Sequence, residues 1–361
     1  MEVEYWMHRC SICFDANQEL CLNRCRDQFC RDCFNRYVKE VVNNSWGLNV
    51  TKIKCPVCQD PLPILEWSKH VDPEIVALYN TYNQPYRSVT RCCGNCGEVV
   101  YSAKVETDLS EEEKFEYLEA IFTDCRFLLE ESNTSATNIN HFLNNLEFDY
   151  RYFLSGRTSG GIEIYRRTIN RLLKAISSSG LRRDSRENLM DLAANISSRL
   201  IAIELKPEIW KELQFEHIVR FPTVTCQSCQ SPSCLKCATP NHHSGLTCLD
   251  FMRKQLEAGI GSPEKLENIR WTLDNSKSCP HCQILINRDD GCNRVDCLYC
   301  GFRFCWICLS AWSEKCGFYQ CQETPQLPNG ETAFDNGAPS DKPELGIPDV
   351  ASIEAKLWNM T

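Results

Sequence analysis

Cysteine spacing constrains this chain more than any other feature. Its 361 residues include 26 cysteines, grouped in clusters and mostly paired as C-x-x-C. Such a pair brings two thiolates within reach of one ion, and zinc closes a tetrahedron of four donors. The clusters run from Cys10 to Cys58, Cys92 to Cys96, Cys226 to Cys248 and Cys279 to Cys321, with Cys125 alone between them. A chain of this length is expected to hold two or three domains. Small modules of this kind have little core, so metal is expected to supply much of their folding free energy.

The first segment, MEVEYWMHRC, is acidic and lacks an apolar core, so no secretory signal is expected. No apolar run approaches the roughly 20 residues of a spanning helix. The expectation is an intracellular soluble protein, cytoplasmic or also nuclear, with no membrane association. Intracellular thiols stay reduced, which favours metal over disulfides. A net charge of -9 argues against nucleic-acid binding, which calls for a basic stripe. The one dense basic patch, SGLRRDSR, falls in a linker.

Between Ser110 and Val219 the pattern becomes helical, with one cysteine and no C-x-x-C pair. Ser110 and Glu113 form a capping box. Leu118, Ile121, Phe122, Cys125, Leu128 and Leu129 follow at helical spacing. Further helices are expected over Asn138–Leu154, about Ile162–Ile176 and Arg186–Leu205. Gly156, Gly160 and Gly161 break the second, and Pro207 ends the last. Cys125 lies on an apolar stripe and reads as core. An earlier helix is expected over Asp72–Gln84, with Pro73 at its first turn.

The metal sets follow from counting. CSIC, CRDQFCRDC and CPVC supply Cys10, Cys13, Cys25, Cys30, Cys33, Cys55 and Cys58, one short of two tetrahedra. Asp27 and Cys21 compete for the eighth place. The middle set offers Cys93 (or Cys92), Cys96, Cys226, Cys229, Cys234, Cys237, Cys248 and one of His242 and His243. The last cluster holds Cys279, Cys282, Cys292, Cys297, Cys300, Cys305, Cys308, Cys316 and Cys321, one thiol more than two sites need.

The order C-x-x-C, C-x-D-x-x-C-x-x-C, C-x-x-C resembles a RING domain, with Asp27 where a histidine is usual. The middle set resembles an in-between-RING (IBR) domain. C-P-H-C, G-C-N, C-x-x-C and F-C-W-I-C resemble the second RING-like domain of RING-in-between-RING ubiquitin ligases. The resemblance covers about Cys10 to Val100 and Val219 to Cys321, and leaves out the helical insert and the tail.

That resemblance implies about six zinc ions. The first domain's sites interleave, pairing Cys10, Cys13, Cys30 and Cys33 on one ion and Cys25, Asp27, Cys55 and Cys58 on the other. Cys93, Cys96, Cys226 and Cys229 would share a third, and Cys234, Cys237, His243 and Cys248 a fourth. Cys279, Cys282, Cys297 and Cys300 would hold a fifth, and Cys305, Cys308, Cys316 and Cys321 a sixth. Ile12, Pro56 and Val57 would dock a ubiquitin-conjugating enzyme. These sets leave four of the 26 cysteines, Cys21, Cys92, Cys125 and Cys292. Cys292, the cysteine of G-C-N, would be the catalytic thiol that accepts ubiquitin as a thioester and passes it to a substrate lysine. The partners implied are the conjugating enzyme, ubiquitin and a protein substrate. Two positions depart from the family pattern. Arg294 stands two residues after Cys292, where many members have histidine, and Arg303 replaces an acidic residue. His281, Asp289, Asp290 and Asp296 are the nearby polar groups. A non-catalytic zinc scaffold that recruits partners is the alternative.

The expected fold class is mixed: small zinc-stabilised α+β modules with an inserted all-α bundle. The expected domains are a RING1-type module at 1–65, a linker helix and IBR start at 66–109, the bundle at 110–219 and the main IBR part at 220–255. A linker at 256–276, a RING2-type module at 277–322 and a disordered acidic tail at 323–361 follow. Within the tail, VASIEAKLWNM has the pattern of a short amphipathic helix, and a frayed end is the expectation. Trp306 reads as a packing residue.

Overall fold

A computed structural model describes residues 8–15, 17–48, 51–104, 110–154, 161–204, 206–239, 243, 245–288, 291–319 and 321. The tail at 323–361, His242, Asp289 and Asp290 lie outside the described residues. All elements below belong to one compact unit.

The cysteine-rich parts are built from short antiparallel hairpins. They are β1 (Leu20–Cys21) with β2 (Gln28–Phe29), β3 (Thr90–Cys92) with β4 (Val99–Tyr101), and β5 (Thr223–Thr225) with β6 (Pro232–Cys234). The last module adds β7 (Ser276–Ser278) with β8 (Leu285–Asn287) and β9 (Arg294–Asp296) with β10 (Arg303–Cys305). In the last four hairpins each turn is a C-x-x-C knuckle. Registers such as Cys92↔Val99 and Ser278↔Leu285 close the ladder beside the ligand pair.

One backbone device recurs in eight of the nine C-x-x-C pairs. The residue four places after the first cysteine donates its N–H back to that cysteine's carbonyl. Phe14, Gln59, Gly97, Gln230, Ala238, Gln283, Gly301 and Leu309 do this at 2.7–3.1 Å. All eight have positive φ, between 57° and 79°. A left-handed residue costs a side chain about 1–2 kcal/mol, yet six of these are not glycine. The turn aims both sulfurs at one point, so the strain signals an interaction that outweighs it. Arg26 makes the same turn onto Leu22, with Cys25 in the second-cysteine position and Leu22 filling the first.

Helices α1 (Arg31–Asn43), α2 (Ile64–Trp67) and α3 (Pro73–Tyr82) complete the N-terminal module. Phe34, Val38 and Val42 of α1 pack with Phe29, Ile53 and Trp67. The insert is a bundle of α4 (Glu111–Glu131), α5 (Ala136–Leu154), α6 (Gly161–Ser178), α7 (Arg183–Ala202) and α8 (Pro207–Arg220). The capping box forms as expected: Ser110 Oγ accepts from Glu113 N at 3.2 Å, and Ser110 N donates to Glu113 Oε2 at 2.7 Å. Gly161 opens α6 because a Cβ there would lie 2.6 Å from Glu204 Oε2. The helix expected to run to Leu205 already ends at Ala202, and Pro207 begins another, since proline suits the first turn.

Helix α8 joins two cores. Trp210 and Leu213 pack into the bundle, whereas Phe215 and Ile218 pack with Cys226, Cys279, Cys297 and Phe304 of the cysteine modules. Its buried Gln214 accepts from Val89 N at 2.9 Å and Ser102 Oγ at 2.6 Å, fixing the β3–β4 hairpin. The stretch 256–276 is not a plain linker. It carries all of α10 (Pro263–Asn275), which follows α9 (Cys248–Glu257), and the two helices pack together around Met252 and Ile269. The N-terminal module also reaches the C-terminal one. Leu48 N donates to Tyr299 O at 3.1 Å, and Gly47 lies so close that a Cβ would sit 1.3 Å from Leu298 O.

Candidate metal centres and the spare thiol

The hairpin turns carry ligand pairs, and the fold brings pairs together from distant parts of the chain. Five groups each place four ligand atoms within 4.8 Å of one another. They are Cys10/Cys13/Cys30/Cys33, Cys93/Cys96/Cys226/Cys229, Cys234/Cys237/His243/Cys248, Cys279/Cys282/Cys297/Cys300 and Cys305/Cys308/Cys316/Cys321. A sixth is assembled by contacts of Cys25 with Asp27, Cys55 and Cys58, and by a 3.1 Å approach of Cys55 Sγ to Asp27 Oδ2.

Distances test whether zinc fits. Four sulfurs about 2.3 Å from one ion stand about 3.8 Å apart along each tetrahedral edge. Cys93–Cys229 is 3.7 Å, Cys96–Cys226 3.6 Å, Cys279–Cys300 3.7 Å and Cys282–Cys297 3.8 Å. Cys234–Cys248 and Cys308–Cys316 are 4.0 Å. Disulfides need about 2 Å, and all 26 cysteines are free. Burial and the neighbouring thiols push Cys25 up to about 11 and Cys33 up to about 12. A divalent cation reverses that balance, because coordination deprotonates a thiol outright. The donor sets therefore fit zinc.

The residues left open as ligands differ in position. Asp27 stands beside Cys55, whereas the exposed Cys21 turns its thiol to the carbonyl of Arg26 at 3.4 Å. Cys93 is in its group, and Cys92 is an exposed strand residue outside it. His243 Nε2 lies 3.4 Å from Cys237 Sγ. Cys125 is fully buried among bundle residues, and burial pushes it up to about 12.

Cys292 belongs to none of the six groups named above and is half-buried. It lies in the loop between β8 and β9, and its surroundings explain G-C-N. Gly291 has φ +128°, and a Cβ there would lie 2.7 Å from Arg288 Nη2. Arg288 Nη2 donates to the Cys292 carbonyl. Asn293 is buried and tied to the loop of the Cys305/Cys308/Cys316/Cys321 group: its N–H donates to Phe318 O at 2.6 Å and its Nδ2 to Gly317 O at 3.3 Å. Trp306 N donates to Asn293 O at 2.7 Å. The thiol itself approaches Arg294 O at 3.7 Å.

Sequence reasoning missed Asn293 and Arg288, though a buried asparagine beside a spare thiol needs partners for every polar atom. Among the described residues, the polar groups considered near Cys292 are engaged elsewhere. Arg294 Nε and Arg303 Nε both pair with Asp296, at 3.4 and 3.6 Å. His281 Nε2 pairs with Glu212 of α8 at 3.2 Å, and that contact raises its pKa. Trp306 packs against Phe304 in the shared core.

Ile12 and Val57 are exposed at the tips of two N-terminal knuckles, with their N–H groups turned 3.4 Å from Cys10 and Cys55 sulfurs. Pro56 is half-buried beside Val57. Phe14, Ile64 and Leu65 are also exposed in this module. Phe14 escaped sequence reading because the left-handed knuckle turn, not hydropathy, sends it outward. Among the described residues no helix is long and apolar enough to cross a membrane.

Paired knuckle hairpins of this kind define a class of cysteine-rich module, and residues 274–323 match the family model for the IBR domain. The E3 ubiquitin-protein ligase dbl4 of Schizosaccharomyces pombe is 34% identical over 93 residues, 26% of this chain and 17% of that protein. Probable E3 ubiquitin-protein ligase ARI8 of Arabidopsis thaliana is 38% identical over 103 residues, 27% of this chain and 17% of its own length. Potential E3 ubiquitin-protein ligase ariadne-2 of Caenorhabditis elegans is 28% identical over 107 residues, 29% of this chain and 21% of its own length. The matched region spans about a fifth of these relatives or less. Together the domain match and these relatives bear out the resemblance to the RING-in-between-RING family. The matched model falls on the segment whose motifs resemble the second RING-like domain.

Proposed function

We propose that the protein is a RING-in-between-RING ubiquitin ligase with zinc in all six ligand groups. In this reading 1–65 is the RING1-type module, the two segments around the bundle form the IBR domain, and 277–322 is the RING2-type catalytic module. A ubiquitin-charged conjugating enzyme docks at Ile12, Pro56 and Val57. The Cys292 thiolate attacks the thioester carbonyl, the carrier thiol leaves, and ubiquitin passes from Cys292 to a substrate lysine. Exchange of one thioester for another is nearly balanced, so the protein's main contribution is positioning.

The observation that carries this reading is Cys292 itself, a half-exposed thiol outside every four-ligand group of its module, on a loop held from both sides. A second reading, a scaffold that recruits a conjugating enzyme without a covalent step, draws on one specific observation. His281, Arg294 and Arg303 are each committed to a carboxylate, so among the described residues none of these stands ready as base for the attacking amine.

Incubating the protein with activating enzyme, conjugating enzyme and labelled ubiquitin, followed by non-reducing gels, separates the two. The expected result is a reductant-sensitive adduct on the wild type, lost in Cys292→Ala and replaced by a reductant-stable ester in Cys292→Ser. Undiminished ligation by Cys292→Ala overturns the thioester step and leaves the scaffold.

A further inference from the structure

The peptide that follows Cys292 is pinned at both of its polar ends. Its carbonyl accepts from Arg288 Nη2, and its N–H, that of Asn293, donates to Phe318 O at 2.6 Å. The orientation of this peptide plane is one of the torsions that aim the Cys292 side chain. Arg288 also lies over the Trp306 ring, with Cζ 5.4 Å from its centroid. Trp306 is in turn fixed by its N–H on Asn293 O at 2.7 Å and by Lys277 Nζ on its carbonyl at 2.6 Å. Arg288 is anchored at its own backbone, where its N–H donates to Asn275 O at 2.8 Å. Gly291 leaves the space that its guanidinium crosses.

From this geometry we infer that Arg288 is a positioning residue for the transfer reaction, holding the Cys292 thiol in the attacking direction. The inference rests on the thioester reading above. In that step a bond forms between Cys292 Sγ and the C-terminal carbonyl carbon of ubiquitin. The bond from that carbon to the carrier's sulfur breaks, and the carrier thiolate leaves and takes up a proton. A bulky thioester can be reached from few directions, so thiol direction governs its rate, whereas a small alkylating reagent approaches from many. A planar guanidinium can stack on an indole and donate forward at once. An ammonium is a point charge that does one or the other well.

The test uses the full-length zinc-loaded chain as wild type, Arg288→Ala and Arg288→Lys. Three quantities are measured: bound zinc, the rate of Cys292 charging across concentrations of ubiquitin-charged conjugating enzyme, and Cys292 alkylation by iodoacetamide followed by mass spectrometry. Misplacing a reacting group by about 1 Å can cost about a hundredfold. Arg288→Ala is expected to lower the saturated charging rate about ten- to a hundredfold. Zinc and the half-saturating concentration stay unchanged, and alkylation proceeds at least as fast as in wild type. Arg288→Lys is expected to fall between the two. Wild-type charging by Arg288→Ala overturns the proposal. So does an equal slowing of charging and alkylation, which assigns Arg288 to the thiol's reactivity instead, or a loss of zinc, which makes it structural. A wild type that forms no Cys292 adduct defeats the thioester reading instead, a distinct result.

Discussion

In the bundle, Leu128, Leu129, Ile169, Leu172 and Ile196 are fully buried among one another. Around the Cys305/Cys308/Cys316/Cys321 group the buried cluster is Cys305, Cys308 and Cys316, and among the described residues Ile307, Trp312 and Cys321 pack around it. The contrast is one of driving force. Each buried leucine or isoleucine contributes about 1.5–3 kcal/mol by leaving water. A structural zinc contributes an apparent 10–16 kcal/mol in small zinc peptides near neutral pH. The first region can stand on side-chain packing. The second is built around ligands that could hold an ion, and α8 is the seam where both kinds of core meet.

Metal removal is the strongest way to break this comparison, and it carries the largest expected effect. Strong chelation should unfold the knuckle modules while the helical far-ultraviolet signal of α4–α7 persists. Amide spectra resolve the two regions. Native shifts at Cys279–Cys321 in the zinc-free protein would show that packing alone suffices there, and the comparison would fail.

A core truncation sharpens the same contrast from the other side. Leu172 is fully exposed to neighbours and not at all to water, so Leu172→Ala should cost about 2–5 kcal/mol. The loss should appear as a lower urea midpoint for the helical signal, with zinc stoichiometry and knuckle spectra unchanged. A variant that sheds zinc as readily as it loses helix would mean that the two regions fold as one cooperative unit through α8.

How much of this was legible in the sequence divides along the same line. Ligand pairs are written in local spacing, and the capping box at Ser110 is a local pattern too. The bundle stripe at Leu118, Ile121, Cys125 and Leu128 follows from helical period. What stayed hidden needed tertiary neighbours. Helix α8 escaped because its apolar residues face two different cores, so Trp210 and Leu213 point one way and Phe215 and Ile218 another. No single stripe results. Arg288 gave no signal because its partners, the Cys292 carbonyl and the Trp306 ring, meet only after the knuckles close. Arg303 meets Asp296 only across the β9–β10 register, so that pairing could not be seen from spacing alone, whereas Arg294 and Asp296 share one face of β9 two residues apart.

The smallest effect to look for lies on α8, where His217 is buried without charge in the bundle-side network. Its Nδ1 is 2.7 Å from Ser197 Oγ, which is 2.6 Å from Tyr165 Oη. Burial lowers its pKa from the ordinary 6.5 to about 4. Because the folded value is depressed, the unfolded chain takes up a proton first as pH falls. Stability is therefore fully present above about pH 6.5, declines between about 6.5 and 4, and is lost below. The span corresponds to at most about 3 kcal/mol, at about 1.4 per unit. Zinc ligands also bind protons as pH falls, so the bundle must be read by difference. Urea midpoints of the helical signal, compared between wild type and His217→Gln from pH 7 to 4.5, isolate the histidine, since both proteins carry the same zinc groups. The wild type should lose its advantage over the variant progressively across that window. Parallel pH profiles would place His217 in an environment that accommodates its charge, and the seam would then be wetter than its packing implies.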